Sequence, residues 1–467
     1  MNVAGKQFRE KVSAHLANER LRRVVIRNTQ MAIDKRGAAI AELDNWEELR
    51  ESAYQIKRRV IEDLPNLLNR FEAAAQESGV EVFRAETAAD ATRIAHQIVQ
   101  KHAVTSIVKA KSMVTEEIEF NRYFRERGYE VLETDLGEFI VQLAGERPSN
   151  LLTPAMHKSL RDVAKLFQEK LGVPYREDPH FLSKTARELL RNKFLAADMG
   201  VSGANFAVVE NGSIVLVENE GNARMCYTLP PVHLAIIGME RLIPAMADLA
   251  VFLPLLCRSG TGQKITSYVS HIRGVRAPDE LDGPSHRYFI LVDNGRSRIR
   301  EDEKIRESLF CIRCSACNNV CPVYRNIGGH AYGWVYQGPI GAVITPEFIG
   351  MEKARDLPFA SSLCGKCAEV CPVKIPLPQL LLHQREKAVR NRRSPVMERI
   401  GMRIAASVFV KKSLFRSSWK LFRWLSKLWP GELPLPGWSR SRETPKPADQ
   451  PFHDWWKQHY SRNSKNE

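Results

Sequence analysis

The pattern of apolar and polar positions predicts different secondary structure along the chain. Within residues 1–70, apolar residues such as Phe8, Val12 and Leu16 recur at near-helical spacing with charged residues between them, which predicts helices. From residue 71 to about 300, short apolar runs alternate with helical periodicity. This alternation predicts an α/β domain with a largely parallel sheet. The predicted strands are Val80–Arg84, Ser106–Lys109, Glu130–Glu133, Ala247–Leu253 and Arg287–Val292, and the predicted helices are Thr87–Lys101 and Glu116–Arg127.

A β-hairpin is predicted within the same α/β stretch. Phe206–Val209 and Ser213–Val217 are two apolar runs that flank Asn211-Gly212. Asn-Gly is the strongest short signal for a two-residue hairpin turn, because both residues tolerate positive φ. The chain should therefore turn back on itself at this point.

The C-terminal part of the chain, from residue 386 onward, is basic, whereas the rest is close to charge balance. The net charge is +15, and the stretch Lys387 to Trp429 holds twelve Lys or Arg against one acid, Glu398. Large apolar residues lie among these charges, and prolines follow between Pro430 and Pro447. The sequence predicts a basic helical extension that contacts an anionic membrane surface, an acidic partner or the protein's own cysteine-rich region. No nucleic-acid-binding module accompanies it, so nucleic acid is not an expected partner.

The most apolar runs, Leu229–Met239 and Ala245–Cys257, are too short for the roughly 20 residues that span a bilayer. The charged segment Met1–Arg23 lacks the apolar core of a signal peptide. The expected location is the cytoplasm, with the inner membrane face as the alternative that the basic extension suggests.

Seven of the nine cysteines lie in two runs with iron–sulfur spacing. The pattern C-x2-C-x2-C-x3-C-P is complete in the first run and lacks its first cysteine in the second, where Ser361 stands instead. In two-cluster ferredoxins the fourth cysteine of each run ligates the other cluster. By that rule the first cluster takes Cys311, Cys314, Cys317 and Cys371, and the second takes Cys321, Cys364 and Cys367.

The second predicted cluster is one thiolate short, which leaves three alternatives. Ser361 or water ligates the fourth iron, Cys226 or Cys257 reaches it, or the cluster is [3Fe–4S] rather than [4Fe–4S]. Zinc sites take four ligands each, and seven cysteines do not divide into two such sites. Disulfides are uncommon in the expected reducing compartment. Two iron–sulfur clusters are therefore the expected cofactors.

Several longer segments resemble the lactate utilization iron–sulfur protein family, the B component of a three-part bacterial L-lactate oxidation system. The segments that carry the resemblance are 201–207, 212–222, 228–233, 134–138 and 153–158. The resemblance implies an α/β lactate-utilization domain similar to the sugar-isomerase and CoA-transferase class, a helical ferredoxin-type two-cluster domain and a C-terminal extension. The expected domains are 1–70, 71–300, 301–385 and 386–467.

The resemblance implies an iron–sulfur electron-transfer subunit in the oxidation of L-lactate to pyruvate, which allows growth on lactate. Its implied partners are the A and C components and a further electron carrier. The alternative is a ligand-binding, transferase-like enzyme domain whose clusters serve as redox sensor or scaffold. No catalytic residue is identified, and whether this chain is itself an enzyme stays open.

A loop at the end of an apolar strand is the candidate ligand site of the α/β domain. It contains Glu218, Glu220, Asn222 and Arg224. Strand ends are where α/β folds place ligands. A simple turn with solvated charges is the structural alternative. Lys109-Ala-Lys111-Ser112 follows another strand and suits an anion, with a solvated basic turn as its alternative.

Overall fold

A computed structural model describes residues 6–391, 396–428, 443–444 and 446–459. The chain forms two compact units, Met1–Asn391 and Arg392–Glu467, and each is described by itself. Among the described helices, none is long and apolar enough to cross a membrane. The predicted proline-rich segment between Pro430 and Pro447 lies mostly outside the described residues.

Four helices open the chain, as the apolar spacing predicted. The Asn18 side chain starts the second helix by accepting a hydrogen bond from the Leu21 amide at 3.0 Å. Pro65 occupies the first turn of the fourth, where its missing N–H costs nothing. These helices are α1 Lys6–Ala17, α2 Glu19–Ala41, α3 Trp46–Glu62 and α4 Leu64–Glu77.

A six-stranded, entirely parallel sheet forms the centre of the α/β region, which confirms the predicted fold class. Its central strands are buried on both faces and therefore read as continuous apolar runs. The strand order is β1-β10-β7-β4-β2-β3. The strands are β1 Glu81–Ala85, β2 Ser106–Lys109, β3 Glu130–Glu133, β4 Met199–Ser202, β7 Val232–Gly238 and β10 His286–Val292.

A second sheet of four strands contains the predicted hairpin. Its order is β8-β5-β6-β9, and β5 pairs antiparallel with β6 around Asn211-Gly212, which confirms the hairpin. Gly212 has φ +68°, and a Cβ there would lie 2.1 Å from the Ala75 nitrogen. Glycine is therefore required both by backbone conformation and by the close approach of α4. The strands are β5 Phe206–Val208, β6 Ser213–Glu218, β8 Leu242–Ile243 and β9 Tyr268–Ile272.

Two local predictions in the α/β region are wrong. The predicted strand Ala247–Leu253 is mostly helix, because α12 begins at Leu249 and buries Phe252, Leu255 and Leu256 at helical spacing. The predicted helix Glu116–Arg127 is two short helices, separated where Glu119 adopts φ +55°. The helices of this region are α5 Ala88–Lys101, α6 Met113–Glu117, α7 Phe120–Arg125, α8 Leu136–Leu143, α9 Leu160–Leu171, α10 Pro179–Ala196, α11 Asn222–Thr228, α12 Leu249–Gly260 and α13 Arg296–Glu301.

The cysteine-rich segment is helical and shares a hydrophobic core with the N-terminal helices and the second sheet. Val60 of α3, Ile214 of β6 and Tyr336 all belong to this core. The cysteines are therefore embedded in the same compact unit as the α/β region. The helices are α14 Ala316–Val320, α15 Pro322–Ile327, α16 Gly338–Ile349, α17 Met351–Ala354, α18 Lys366–Glu369 and α19 Leu377–Arg390.

The second unit is helical in its described residues, as predicted for the basic extension. Two ion pairs hold it together, one between Arg416 and Asp454 and one between Arg423 and Asp449 at 3.0 Å. Its helices are α20 Val396–Val410, α21 Lys412–Leu428 and α22 Phe452–His459.

Candidate iron–sulfur site and neighbouring cavity

The first cysteine group consists of Cys311, Cys314, Cys317 and Cys371, which line one cavity. Cys311 and Cys314 lie in the loop before α14, Cys317 lies in the first turn of α14, and Cys371 follows α18. The loop curls because Arg313 and Ser315 adopt φ of +61° and +63°, which turns successive thiols inward. The structure thus brings together the four residues that the spacing predicted for one cluster.

Hydrogen bonding and burial at this group suit thiolates that carry metal. The backbone amides of Arg313 and Ile375 lie 3.4 Å from the sulfurs of Cys311 and Cys371. Burial and the neighbouring thiols raise the pKa of Cys314 and of Cys317, because bare thiolates are unfavourable in a buried group. Bound cations remove that cost, since metal binding requires deprotonated thiols. The donor set therefore fits an iron–sulfur cluster, whose irons are held by cysteine thiolates.

The second cysteine group consists of Cys321, Cys364 and Cys367. Burial, and then the charges of Cys321 and Cys364, raise the pKa of the Cys367 thiol to about 12. The three sulfurs are therefore close enough to interact electrostatically. Cys364 is exposed, whereas the other two are buried. The second group thus lies nearer the surface than the first.

The three side chains considered as further ligands have other surroundings. The Ser361 Oγ accepts a hydrogen bond from the Leu363 amide at 3.1 Å. Cys226 lies in a separate apolar core, with its sulfur 3.4 Å from the Thr134 hydroxyl. Cys257 lines the neighbouring cavity described below. Among the described residues, no disulfide joins any of the nine cysteines.

A guanidinium network lies directly behind the first cysteine group. We use this name for Lys57, Glu117, Glu240, Arg241, Arg296 and Arg313, all of which are more than nine-tenths buried. The Glu240 carboxylate is 2.5 Å from Arg296 Nε, 3.4 Å from Arg313 Nη2 and 3.9 Å from Arg241 Nε. Arg296 also forms a bidentate pair with Glu117 at 2.8 Å, and the Lys57 ammonium donates to the Glu240 carbonyl.

The guanidinium network has three guanidinium groups and two carboxylates, and burial lowers the pKa of its one ammonium, Lys57, to about 7. Burial alone would raise the pKa of the Glu240 carboxyl, but the surrounding guanidinium groups hold it below its usual range. In the described part of the chain, Arg241 Nε and Arg313 Nε and Nη1 have no hydrogen-bond acceptor. Sequence analysis missed this network, because its members are brought together from α3, α6, α13 and two loops.

A cavity of about 260 Å³ lies at the carboxyl ends of β2 and β4, and we call it the switch-point cavity. In the sheet order, the chain leaves β2 towards β3 on one side and leaves β4 towards β7 on the other. Parallel sheets bind ligands at such points, because the diverging connections leave a crevice there. Arg241, Arg313 and Lys111 line this cavity, and Leu151 and Arg313 line the cysteine cavity as well.

Only some residues of the predicted ligand loop lie at the switch-point cavity. Glu218, Glu220 and Asn222 line it. Both carboxylate oxygens of Glu218 accept backbone hydrogen bonds at the start of α11, from the Ala223 and Arg224 amides at 2.8 and 2.9 Å. The Arg224 guanidinium instead lies over the Tyr268 ring and donates to Ser270.

Lys109 is not part of a solvated turn. It is fully buried, 2.8 Å from Glu133 and 3.5 Å from Glu116. Together with Glu138, these carboxylates form an acid cluster, in which one oxygen of each residue lies within 4.8 Å of the others. Burial, and then the charges of Glu133 and Glu116, raise the pKa of Glu138 well above its usual range. This shift favours the protonated form of Glu138, which would lower the negative charge of the acid cluster.

Three family models match successive parts of the chain. Residues 68–294 match the LUD domain, residues 307–375 the 4Fe-4S dicluster domain, and residues 383–461 the C-terminal part of lactate utilisation protein B. The cysteine-rich segment is thus of the 4Fe-4S dicluster type.

Full-length relatives agree with these matches. The chain is 42% identical to "Lactate utilization protein B 2" of Bacillus mycoides and 41% identical to "Lactate utilization protein B" of Bacillus cereus, in each case over 98% of both chains. A crystal structure of a DUF162 family protein from Deinococcus radiodurans aligns to 49% of this chain and 98% of that one, with a TM-score of 0.29 and 12% identity, too low for any conclusion. On the strength of the full-length relatives, the chain belongs to the lactate utilization protein B family.

Proposed function

We propose that this protein is the iron–sulfur electron-transfer subunit of a multi-component system that oxidises L-lactate to pyruvate. The observation that supports this most is the first cysteine group, in which four thiols from two separate runs line one cavity. The family relationship supplies the connection to lactate utilization. Iron–sulfur clusters held by cysteine thiolates transfer single electrons.

The proposed ligands are those that the spacing predicts. Cys311, Cys314, Cys317 and Cys371 hold one [4Fe–4S] cluster, and Cys321, Cys364 and Cys367 hold a second that is either [4Fe–4S] with a non-cysteine ligand or [3Fe–4S]. The chain's own contribution is to bury the first group among cations and to leave Cys364 at the surface. An exposed second group suits electron exchange with a partner, here the A or C component or a further carrier.

The basic C-terminal helices are proposed as a docking element for an acidic partner or an anionic membrane surface. Helix α21 is amphipathic, with Lys412, Arg416 and Lys420 among its apolar residues. Deleting residues 396–467 should reduce co-purification with the partner components or co-sedimentation with anionic vesicles. A truncated protein that retains both would contradict this role.

The proposed function is tested by cysteine variants in cells that grow on lactate. Cys367→Ser should abolish lactate-dependent growth and lower the iron and acid-labile sulfide of the anaerobically purified protein. Cys226→Ala is the matched control, because Cys226 is a buried thiol outside both cysteine groups, and it should retain growth and iron content. Normal growth of the Cys367→Ser strain would contradict the relay role.

The transferase-like alternative predicts a different response. Glu218 caps α11 with both carboxylate oxygens, which is a structural use of the residue that the alternative needs for chemistry. Glu220→Gln leaves that cap intact and changes an exposed carboxylate at the cavity rim. The relay role predicts that this variant keeps growth on lactate, and the transferase-like alternative predicts that it does not.

A further inference from the structure

The guanidinium network has buried positive charge that the described residues do not neutralise. Three guanidinium groups, those of Arg241, Arg296 and Arg313, share the two carboxylates of Glu117 and Glu240. Guanidinium groups cannot lose their protons in a protein. Buried charge without a partner is costly, so this arrangement is stable only with a further anion nearby.

The switch-point cavity is where such an anion can reach two of these groups. Arg241 and Arg313 lie in its wall, and both have N–H groups without an acceptor in the described part of the chain. Planar guanidinium groups bind carboxylates through paired N–H donors. The inner wall of the cavity therefore contains two guanidinium groups that can bind a carboxylate.

The acidic residues of the same cavity do not cancel this preference. Asp135 is 3.3 Å from the Lys111 ammonium, and Glu218 accepts two amides of α11. Glu220 is exposed at the rim. The carboxylates nearest the ligand space are thus already engaged, whereas the guanidinium groups of the inner wall are not fully engaged.

We propose that the switch-point cavity binds a small 2-hydroxy or 2-oxo carboxylate through Arg241 and Arg313, next to the first cysteine group. A volume of about 260 Å³ is just below the usual range for drug-sized ligands, which suits an acid of a few carbon atoms. The choice of acid rests on the proposed function, while the site itself rests on the cavity and its guanidinium groups. Arg313 lines both cavities and connects them.

The experiment is calorimetric titration of the anaerobic, cluster-loaded full-length protein with L-lactate, with L-lactamide as the uncharged analogue. We expect saturable binding of L-lactate and binding of L-lactamide that is weaker by about tenfold or more, because a charged hydrogen bond is lost. Arg241→Gln should weaken L-lactate binding by a similar factor without changing iron or sulfide content. Arg224→Gln is the matched control and should bind as the wild type does, since Arg224 faces Tyr268 and Ser270.

A second variant keeps the test decisive if Arg241→Gln does not fold. Ala204 is half-buried in the cavity wall, and Ala204→Leu fills the ligand space without changing any charge. It should abolish L-lactate binding and leave the cluster signals in electron paramagnetic resonance unchanged. Absence of binding to the loaded wild type, or full binding to Ala204→Leu, would overturn this site and leave the relay role to its own test with Cys367→Ser.

Discussion

Two clusters of buried charged side chains lie near the carboxyl edge of the parallel sheet, and burial affects their protonation differently. The acid cluster of Glu116, Glu133 and Glu138 has one close ammonium, that of Lys109. Burial and the neighbouring carboxylates raise the pKa of Glu138, which favours its protonated form. The three arginines of the guanidinium network exceed its two carboxylates, and they cannot respond in this way because arginine stays protonated. Only Lys57, whose pKa burial lowers to about 7, can lose a proton. A buried excess of acid is thus self-correcting, whereas a buried excess of arginine requires an anion from elsewhere.

A bound cluster or a bound ligand would supply this anion, because the other described side chains do not. The network lies against the first cysteine group on one side and the switch-point cavity on the other. Cluster-bound thiolates and a carboxylate ligand are both anions of the required sign.

The largest effect should come from removing the carboxylate that three guanidinium groups share. Glu240→Gln leaves a buried positive charge without its partner, which should lower the free energy of unfolding by about 3–5 kcal/mol. Glu126→Gln breaks an exposed pair with Arg122 and should cost less than about 1 kcal/mol. Urea unfolding of both variants measures this, and equal losses would contradict the comparison.

A smaller effect is expected when a cation next to the first cysteine group is removed. The Arg313 guanidinium is buried beside Cys311 and favours the more negative, reduced form of a cluster there. Arg313→Met should lower the reduction potential of that cluster by about 60 mV, the one-electron equivalent of a tenfold change. Potentiometric titration followed by electron paramagnetic resonance measures the shift. Arg84→Met, which removes a surface cation paired with Glu72, should leave the potential unchanged.

The smallest effect is expected in the acid cluster, where burial and the neighbouring carboxylates raise the pKa of Glu138 and favour its neutral form. Its raised pKa means that the folded protein holds this proton more tightly than the unfolded chain does, so stability falls as pH rises above about 4.3 towards the folded pKa. Glu138→Gln should flatten this slope and change stability at pH 7 by no more than about 1 kcal/mol.

Urea unfolding across this pH range measures the effect of Glu138→Gln. Phe139→Leu, a change of volume in the same helix at a buried position, should shift stability equally at every pH. If the stability of the Glu138→Gln variant fell with pH as steeply as that of the wild type, another group would have to produce the pH dependence.

Much of the fold was predictable because its signals are local. The strands at Ser106–Lys109 and Glu130–Glu133 form as predicted, and so does the Asn211-Gly212 hairpin. The run Ala247–Leu253 was wrongly predicted to be a strand, because an apolar segment without alternation fits a buried strand and a buried helix equally well. The domain division at residues 70, 300 and 385 stays a prediction.

The candidate site, like the fold, was predictable only in part. Cysteine spacing predicted which thiols share a cavity in the first group, since ligand spacing is a property of a short segment. The ligand loop was predicted from its position at a strand end, yet Arg224 faces away from the cavity. Neither periodicity nor motif could indicate that Arg241 and Arg313 would meet at Glu240.

By itself, the sequence determined the grouping of the cysteines and much of the secondary structure around them, because thiol spacing and apolar periodicity act over a few residues. The tertiary structure alone decided where the charge lies. It gathers arginines from α13, the turn after β7 and the cysteine loop around two carboxylates. It places this group between a thiol cavity and a ligand-sized cavity. Electrostatic balance in a buried site depends on neighbours in space, and those neighbours are far apart in the chain.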